Sequence, residues 1–422
     1  MRGFIARQLV ETSQMVKAVQ SLLEAKYPET NIIPVKAGVS HDLRDAAGLV
    51  KCREANDYHH AHDAFLACRV GLFIQKRHPG IYENPIGYAH LIRNYARAQS
   101  VAYGHGAANL GSSGFIINSF MSSGFDKETG EVFKDDWDAE AEIEGIRRTL
   151  NFRQCHITRM PYEENGAFWN ATIYSPRDPK MGKKLSLQLK DGLDTQKYGG
   201  YSNEQYAYFF VYEARDKKGK RVFRFAQVPI WLASRIHQEE GALESYAAQL
   251  AREEKLEFVR IERAKILKKQ LVEIDGDRFY ITGRQEMRNA RELAFSVDEM
   301  GLLLKVNGLK DASEEDASAA LETVASRGLL SSNRLSKMIN LSAIPSRAKF
   351  ASVDEVCQLV INLLALFNAA ANKVDLRVGG GGKFSGAIQP NYSKLLSDPN
   401  CGFYIIDQST TGMFERRTRI GL

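Results

Sequence analysis

Several absences narrow what this sequence can be. It has five cysteines, Cys52, Cys68, Cys155, Cys357 and Cys401, an odd and scattered set with no Cys-x-x-Cys pair. That argues against a disulfide framework and a cysteine-based zinc site, and it fits a reducing cytoplasm. No apolar run approaches the ~18 residues needed to span a membrane. The opening Met1-Arg2-Gly3-Phe4-Ile5-Ala6-Arg7 lacks the apolar core and small-residue cleavage site of a secretory leader, and reads like the interior of a domain. There is no internal repeat and no long low-complexity tract. Hydrophobic residues at 44% and charged residues at 26% exclude disorder for most of the chain.

Charge of one sign is also scarce. Lys and Arg number 57 against 51 Asp and Glu, a surplus of +6 that permits a polyanionic partner without demanding one. Residues 1–158 carry 18 basic and 18 acidic groups, and residues 159–422 carry 39 and 33, so the whole surplus lies after residue 158. A length of 422 residues suggests two or three domains. The sequence texture changes near residue 158, which sets the expected boundary: 1–158 and 159–422.

Residues 4–25 carry apolar positions at helical spacing and stop before Pro28. Asn31–Lys36 reads as a short edge strand, and Leu43–Val50 as a second helix. Tyr58–Lys76 is the clearest helix, with Phe65, Leu66, Val70, Phe73 and Ile74 as its stripe and Asn56 or Asp57 available to cap it. Residues 101–125 read as a loop around Phe115-Ile116-Ile117, and Asp126–Glu131 as a turn. Strands are expected at Tyr206–Tyr212, Arg221–Val228, Phe258–Ile261, Arg278–Thr282 and Phe403–Ile406, with helices at Ala242–Glu254, Ser313–Ser326 and Val353–Ala371. Gly379–Gly382 reads as a flexible break. Lys265, Lys268 and Lys269, and likewise Arg284, Arg288 and Arg291, have the spacing of cationic stripes if helical.

One constellation carries chemistry: His59-His60-Ala61-His62-Asp63. On a helix His60 and Asp63 share a face. A carboxylate there can hold a hard cation while an imidazole orients or deprotonates water, as metal-assisted phosphodiester cleavage requires. A polar helix start with ordinary hydrogen bonds, or a histidine-rich zinc site, remains an alternative. One carboxylate cannot hold two metal ions, and residues 1–50 offer no acidic residue inside an apolar strand run. By chemistry alone the site is incomplete.

The stretch Arg53-Glu54-Ala55-Asn56-Asp57-Tyr58-His59-His60-Ala61-His62-Asp63-Ala64-Phe65-Leu66 resembles the third RuvC-like nuclease motif of the type II CRISPR RNA-guided DNA endonucleases. Gly3–Thr12, Glu128–Val132, Lys197–Tyr201 and Ile406–Glu415 resemble further stretches of that family in the same order. The resemblance implies an α+β chain: an incomplete RNase H-like (RuvC-like) domain followed by a mixed, β-rich domain with helices that recognises the protospacer-adjacent motif. It implies a bacterial cytoplasmic protein, here in the form of a C-terminal piece lacking the first two nuclease segments, their two acidic ligands and the HNH domain. Asp63 matches the third metal-binding carboxylate and His60 the catalytic histidine. Mg²⁺ is the implied cofactor, with Mn²⁺ an alternative. The implied partners are a guide RNA, the target duplex DNA and the missing N-terminal part, with no membrane. A second reading makes the chain a non-catalytic DNA-docking module, or the surface taken by an anti-CRISPR inhibitor protein.

The resemblance also places two DNA-contacting regions. Trp169, Asn170, Ala171 and Thr172 align with the loop that grips a target-strand phosphate, although Asn170 and Thr172 stand where a well-known member has a lysine and a serine. An ordinary β-turn is the competing reading. The base-reading segment falls on Lys383–Lys394, which has no arginine; Lys383, Ser385, Gln389 and Asn391 are its candidate readers. Gln389 and Asn391 alternate toward one side of an extended segment, and Gln and Asn suit adenine. Surface-loop polarity is the alternative.

Overall fold

The computed structural model describes residues 2–35, 37–80, 112–124, 137–152, 157–169, 173–175, 177, 194–201, 204–308, 312–368, 374–384 and 388–422. The chain divides into two units. The first comprises residues 1–53, 58–153 and 295–301, and the second residues 54–57, 154–294 and 302–422. The mixture of helices and antiparallel sheets is the expected α+β class. Among the described residues no helix is long and apolar enough to cross a membrane.

Within the first unit the described elements are helical: α1 (Arg2–Lys26), α2 (Ala37–Ala46), α3 (Tyr58–Arg77), α4 (Ser112–Phe120) and α5 (Ala139–Leu150). The predicted stripe of α3 is what builds the core. Leu66, Val70, Phe73 and Ile74 pack with Leu43 of α2, Phe120 of α4, and Ile146 and Leu150 of α5. Phe73 meets the Phe120 ring at 4.8 Å and the Trp137 ring at 4.9 Å, and the Trp137 indole N–H donates to the Phe120 carbonyl at 2.9 Å. α5 starts on the Asp138 side chain, which accepts from the Ala141 N–H. By contrast, Met15, Val16, Val19 and Leu22 of α1 are exposed, from 51% to 70%.

Three expectations in this unit are corrected. Residues 31–35 form no strand. Their apolar side chains serve packing instead: Val35 and Ile33 lie over Gly71 of α3, where a Cβ would stand 3.2 Å from Val35. The second helix lies at Ala37–Ala46 rather than Leu43–Val50, and Ser112–Phe120 is a helix rather than loop. Asp126–Glu131 lies outside the described residues.

In the second unit, β1 (Ile173–Tyr174) pairs with β2 (Gly200–Tyr201), and β3 (Tyr206–Arg215) is the central strand of a three-stranded sheet ordered β4-β3-β5, with β4 at Arg221–Pro229 and β5 at Glu257–Ile266. Its apolar run is continuous rather than alternating because both faces are covered. On one face Phe210 and Tyr212 pack with Ala247 and Ala251 of α7 (Ala242–Glu253), which follows α6 (Ile230–Gln238). On the other, Phe209 stacks on Phe225, whose ring lies 4.5 Å from that of Tyr392. Tyr392 in turn meets Phe403 of a five-stranded sheet. That sheet is ordered β12-β11-β6-β7-β8, from Glu415–Arg419, Phe403–Gln408, Leu271–Ile274, Asp277–Gly283 and Glu286–Asn289. α8 (Val297–Gly308), whose residues up to Gly301 belong to the first unit, α9 (Glu314–Ser331) and α10 (Val353–Phe367) follow, the last two each opened by a serine capping box. α10 stops at Phe367, and residues 369–371 of the longer expected helix lie outside the described residues.

The tetraglycine is not a flexible break. Gly379 and Gly381 donate to the Leu376 carbonyl at 3.0 and 2.9 Å, and Leu376 donates to Gly382 at 3.0 Å. A Cβ on Gly379 would stand 2.6 Å from Ile344, and Gly380 has φ +72°, which glycine adopts without strain. The two expected cationic stripes are also absent, because their residues are not helical. Lys265 and Arg288 lie on strands β5 and β8, while Lys268, Lys269 and Arg284 lie in connections.

Candidate functional site

α3 carries the histidine cluster on its first turns and places Asp63 opposite two cations of the same unit. The Arg44 guanidinium donates to Asp63 Oδ1 through Nε at 3.1 Å and Nη2 at 2.7 Å. Lys51 Nζ donates to Asp63 Oδ2. Both carboxylate oxygens therefore face positive charge. Burial pushes the Asp63 pKa up, but the hydrogen bonds from Lys51 and Arg44 and their charges outweigh it, and the net shift is downward. Arg44 is fixed further by a 3.3 Å hydrogen bond from Nη1 to the Leu49 carbonyl.

The histidines divide by environment. His60 is exposed, with its ring 4.1 Å from that of His59. His62 is partly buried, and desolvation, followed by the Arg44 charge, depresses its pKa to about 4, so it is neutral at pH 7. His60 and Asp63 thus share α3 as the spacing predicts. Asp63 does not fit a divalent cation in this arrangement, because a metal would be a third cation on a carboxylate that two already hold. Sequence reading missed Arg44 and Lys51. Both are near in sequence, but only the packing of α2 against α3 brings the guanidinium to the carboxylate.

The predicted DNA-contacting residues of the second unit fall in two places. Trp169 forms an isolated bridge with Glu204, and its ring stacks 6.2 Å from that of Tyr201. Asn170, Ala171 and Thr172 lie outside the described residues, as does Ser385. Lys383 is exposed on the two-residue strand β10 (Lys383–Phe384), paired with β9 (Val374–Asp375), its Nζ 3.6 Å from the Asp375 carboxylate. Gln389 and Asn391 are exposed around buried Pro390, which matches the expected alternation. Asn391 has a structural task as well: its Oδ1 accepts from the Lys394 N–H at 3.0 Å and caps the short helix Tyr392–Leu396.

Asn391 also lines a cavity of about 260 Å³ together with Gln227, Arg284, Gln285 and Tyr246. Arg284 and Gln285 sit in the turn between β7 and β8. Desolvation, with Glu204 next, pushes the Tyr246 phenol up to about 12, so its hydroxyl stays neutral. The cavity thus presents two guanidiniums, of Arg224 and Arg284, with amides and phenols, groups that donate to and accept from base edges, beside the carboxylates of Glu204 and Glu254. The sequence offered Arg284 only as part of a helical stripe, which is why its grouping with Asn391 was not foreseen.

Comparison with known proteins matches these two regions to two family models. The model for the PAM-interacting domain of CRISPR-associated endonuclease Cas9 matches residues 165–416. The model for the Cas9 RuvC domain matches residues 13–160. Among curated proteins, the CRISPR-associated endonuclease Cas9 of Streptococcus mutans serotype c is 28% identical over 240 residues, 52% of this chain and 16% of that protein. The Cas9 of Listeria innocua serovar 6a is 28% identical over 257 residues, 57% of this chain and 18% of that protein. The chain therefore spans less than a fifth of the length of either relative.

Proposed function

We propose that this chain, which belongs to the CRISPR-associated endonuclease Cas9 family, docks duplex DNA at a short protospacer-adjacent motif on behalf of a larger RNA-guided endonuclease. The observation that carries this reading is the convergence of Arg284, Gln285 and Asn391 on one cavity inside the stretch matched by the PAM-interacting family. Gln and Asn amides pair with adenine N6 and N7, and an arginine pairs with guanine or a phosphate. With Gln389 beside Asn391, adenine is the proposed base at one position at least. Guide RNA and target DNA are the partners of the whole assembly, in which base pairing reads the remaining sequence.

Cutting belongs, on this reading, to the whole protein and not to the chain alone. Asp63 is a single carboxylate neutralised by Arg44 and Lys51, and His60 is its exposed neighbour on the helix. The experiment is a binding selection with a randomised short duplex at two salt concentrations. Enrichment of a short motif, with affinity falling as salt rises, supports docking; no retention at low salt overturns it. Alongside it, supercoiled plasmid incubated with the chain and Mg²⁺ or Mn²⁺ is expected to stay intact. Metal-dependent nicking that His60→Ala abolishes would overturn the division of labour.

A further inference from the structure

We infer that Arg44 and Lys51 are positioning residues that lock Asp63 in a cation-paired state, with Arg44 as the permanent anchor and Lys51 as the releasable latch. The inference deepens the nuclease reading of Asp63 and rests on it.

The two cations differ in how they are held. The Arg44 side chain is 6% exposed, and it spends three donors: two on Asp63 Oδ1 and one on the Leu49 carbonyl. Its neighbours on α2 and in the following turn, Leu43 and Leu49, are buried in the core. Withdrawing such a guanidinium from Asp63, its one carboxylate partner among the described residues, would leave a buried charge unpaired, which is costly. Lys51 is 21% exposed and reaches Asp63 Oδ2 with one ammonium on a flexible stem. Asp63 itself is 41% exposed, and solvent can therefore replace Lys51 but not Arg44.

Two consequences follow. While Lys51 is in place, both oxygens are occupied and a divalent ion meets net positive charge at close range. When Lys51 leaves, Oδ2 is free and still aimed, because Arg44 holds Oδ1. The pair thus keeps the carboxylate oriented and unavailable until something displaces the lysine. In chemical terms the displacing agent is a second anionic group that draws Lys51 away, or a cation whose other ligands outweigh it.

The test is Mn²⁺ binding to the full 422-residue chain without nucleic acid, read by electron paramagnetic resonance of free Mn²⁺. The wild type is expected to show no binding that Asp63→Asn removes. Lys51→Met, which keeps the stem and deletes the charge, is expected to bind Mn²⁺ at least about tenfold more tightly, since a like charge at contact distance is gone. Adding Asp63→Asn should abolish that gain. Lys51→Gln serves as a second variant if Lys51→Met fails to fold, with circular dichroism as the check. The inference is overturned if the wild type already binds Mn²⁺ through Asp63 as tightly as the lysine variants. It is equally overturned if folded lysine variants gain no Asp63-dependent binding. Neither result bears on DNA docking, and intact plasmid in the cutting assay does not bear on the lock, so the two readings fail separately.

Discussion

Arg44 Nε and Nη2 converge on a single oxygen of Asp63, at 3.1 and 2.7 Å, leaving the other oxygen to Lys51. Asp63→Ala would strand a guanidinium that is almost entirely buried. Hydrogen bonds to charged groups are worth about 1.5–3 kcal/mol, and the half-exposed carboxylate puts this case at the lower end, about 1–2 kcal/mol. Urea unfolding followed by tryptophan fluorescence measures it. Loss below about 0.5 kcal/mol would mean that Arg44 finds water or another acceptor at little cost.

Glu213 supplies the acid dependence of the second unit. Its buried carboxylate accepts from Arg221 Nε at 2.5 Å and from Arg260 Nε at 2.9 Å. The Arg221 hydrogen bond dominates, burial opposes it, Arg260 adds to it, and the pKa falls below the ordinary 4.5. A depressed carboxylate stabilises fully above its unfolded value and loses that contribution as pH falls through the folded one. Urea midpoints should therefore hold down to about pH 5 and drop below pH 4.5. In Glu213→Gln the midpoint at pH 7 should be lower and the decline below pH 4.5 shallower. An equally steep decline would assign the acid sensitivity to other groups.

Gly328 tests packing against propensity. Alanine in a helix interior is favoured over glycine by about 1 kcal/mol. At Gly328 of α9, however, a Cβ would stand 2.7 Å from Leu341 and 2.8 Å from Phe367, both fully buried. Overpacking costs about 1–3 kcal/mol, so Gly328→Ala should be net destabilising by about 1–2 kcal/mol. Gly145 of α5 meets nothing within 4 Å, and Gly145→Ala should be neutral or stabilising by up to about 1 kcal/mol. In thermal melts the midpoint should fall for Gly328→Ala and hold or rise for Gly145→Ala.

Asn391 joins a helix cap to the proposed DNA-docking cavity, and two substitutions separate the roles. Asn391→Asp keeps an acceptor for the Lys394 N–H but replaces an amide donor with negative charge. It should retain the melting temperature and weaken duplex binding at least about tenfold, the size of a lost base contact. Arg284→Ala should weaken binding by a similar factor and reduce its salt dependence. Unchanged binding by both variants would move docking away from this cavity.

Local pattern made much of the fold legible. The apolar stripe of Tyr58–Lys76 and the strand expected at Tyr206–Tyr212 each follow from residue pattern, and the structure has them at those places. Ile33 and Val35 resembled part of a strand because apolar residues that pack on a helix have the same composition as residues that pair in a sheet. Gly379–Gly382 looked loose because composition does not reveal that Ile344, Arg347 and Leu376 crowd the turn. His60 and Asp63 stood out by chemistry. Arg44 and Lys51 did not, since nothing local distinguishes a buried arginine partner from a surface one. The grouping of Arg284 with Asn391 joins residues more than a hundred positions apart, and only the packing of the chain brings them together.

The water-facing row Met15, Val16, Val19 and Leu22 on α1 has a practical side. An oily ridge on a helix sets how molecules behave toward each other and toward surfaces. Solutions should scatter more light as protein concentration rises, bind hydrophobic dyes, and stick to phenyl resin more strongly than the 44% hydrophobic composition suggests. Mild detergent or glutamate in place of Val16 and Val19 should relieve all three effects together, which gives the molecule a handling property traceable to one face of one helix.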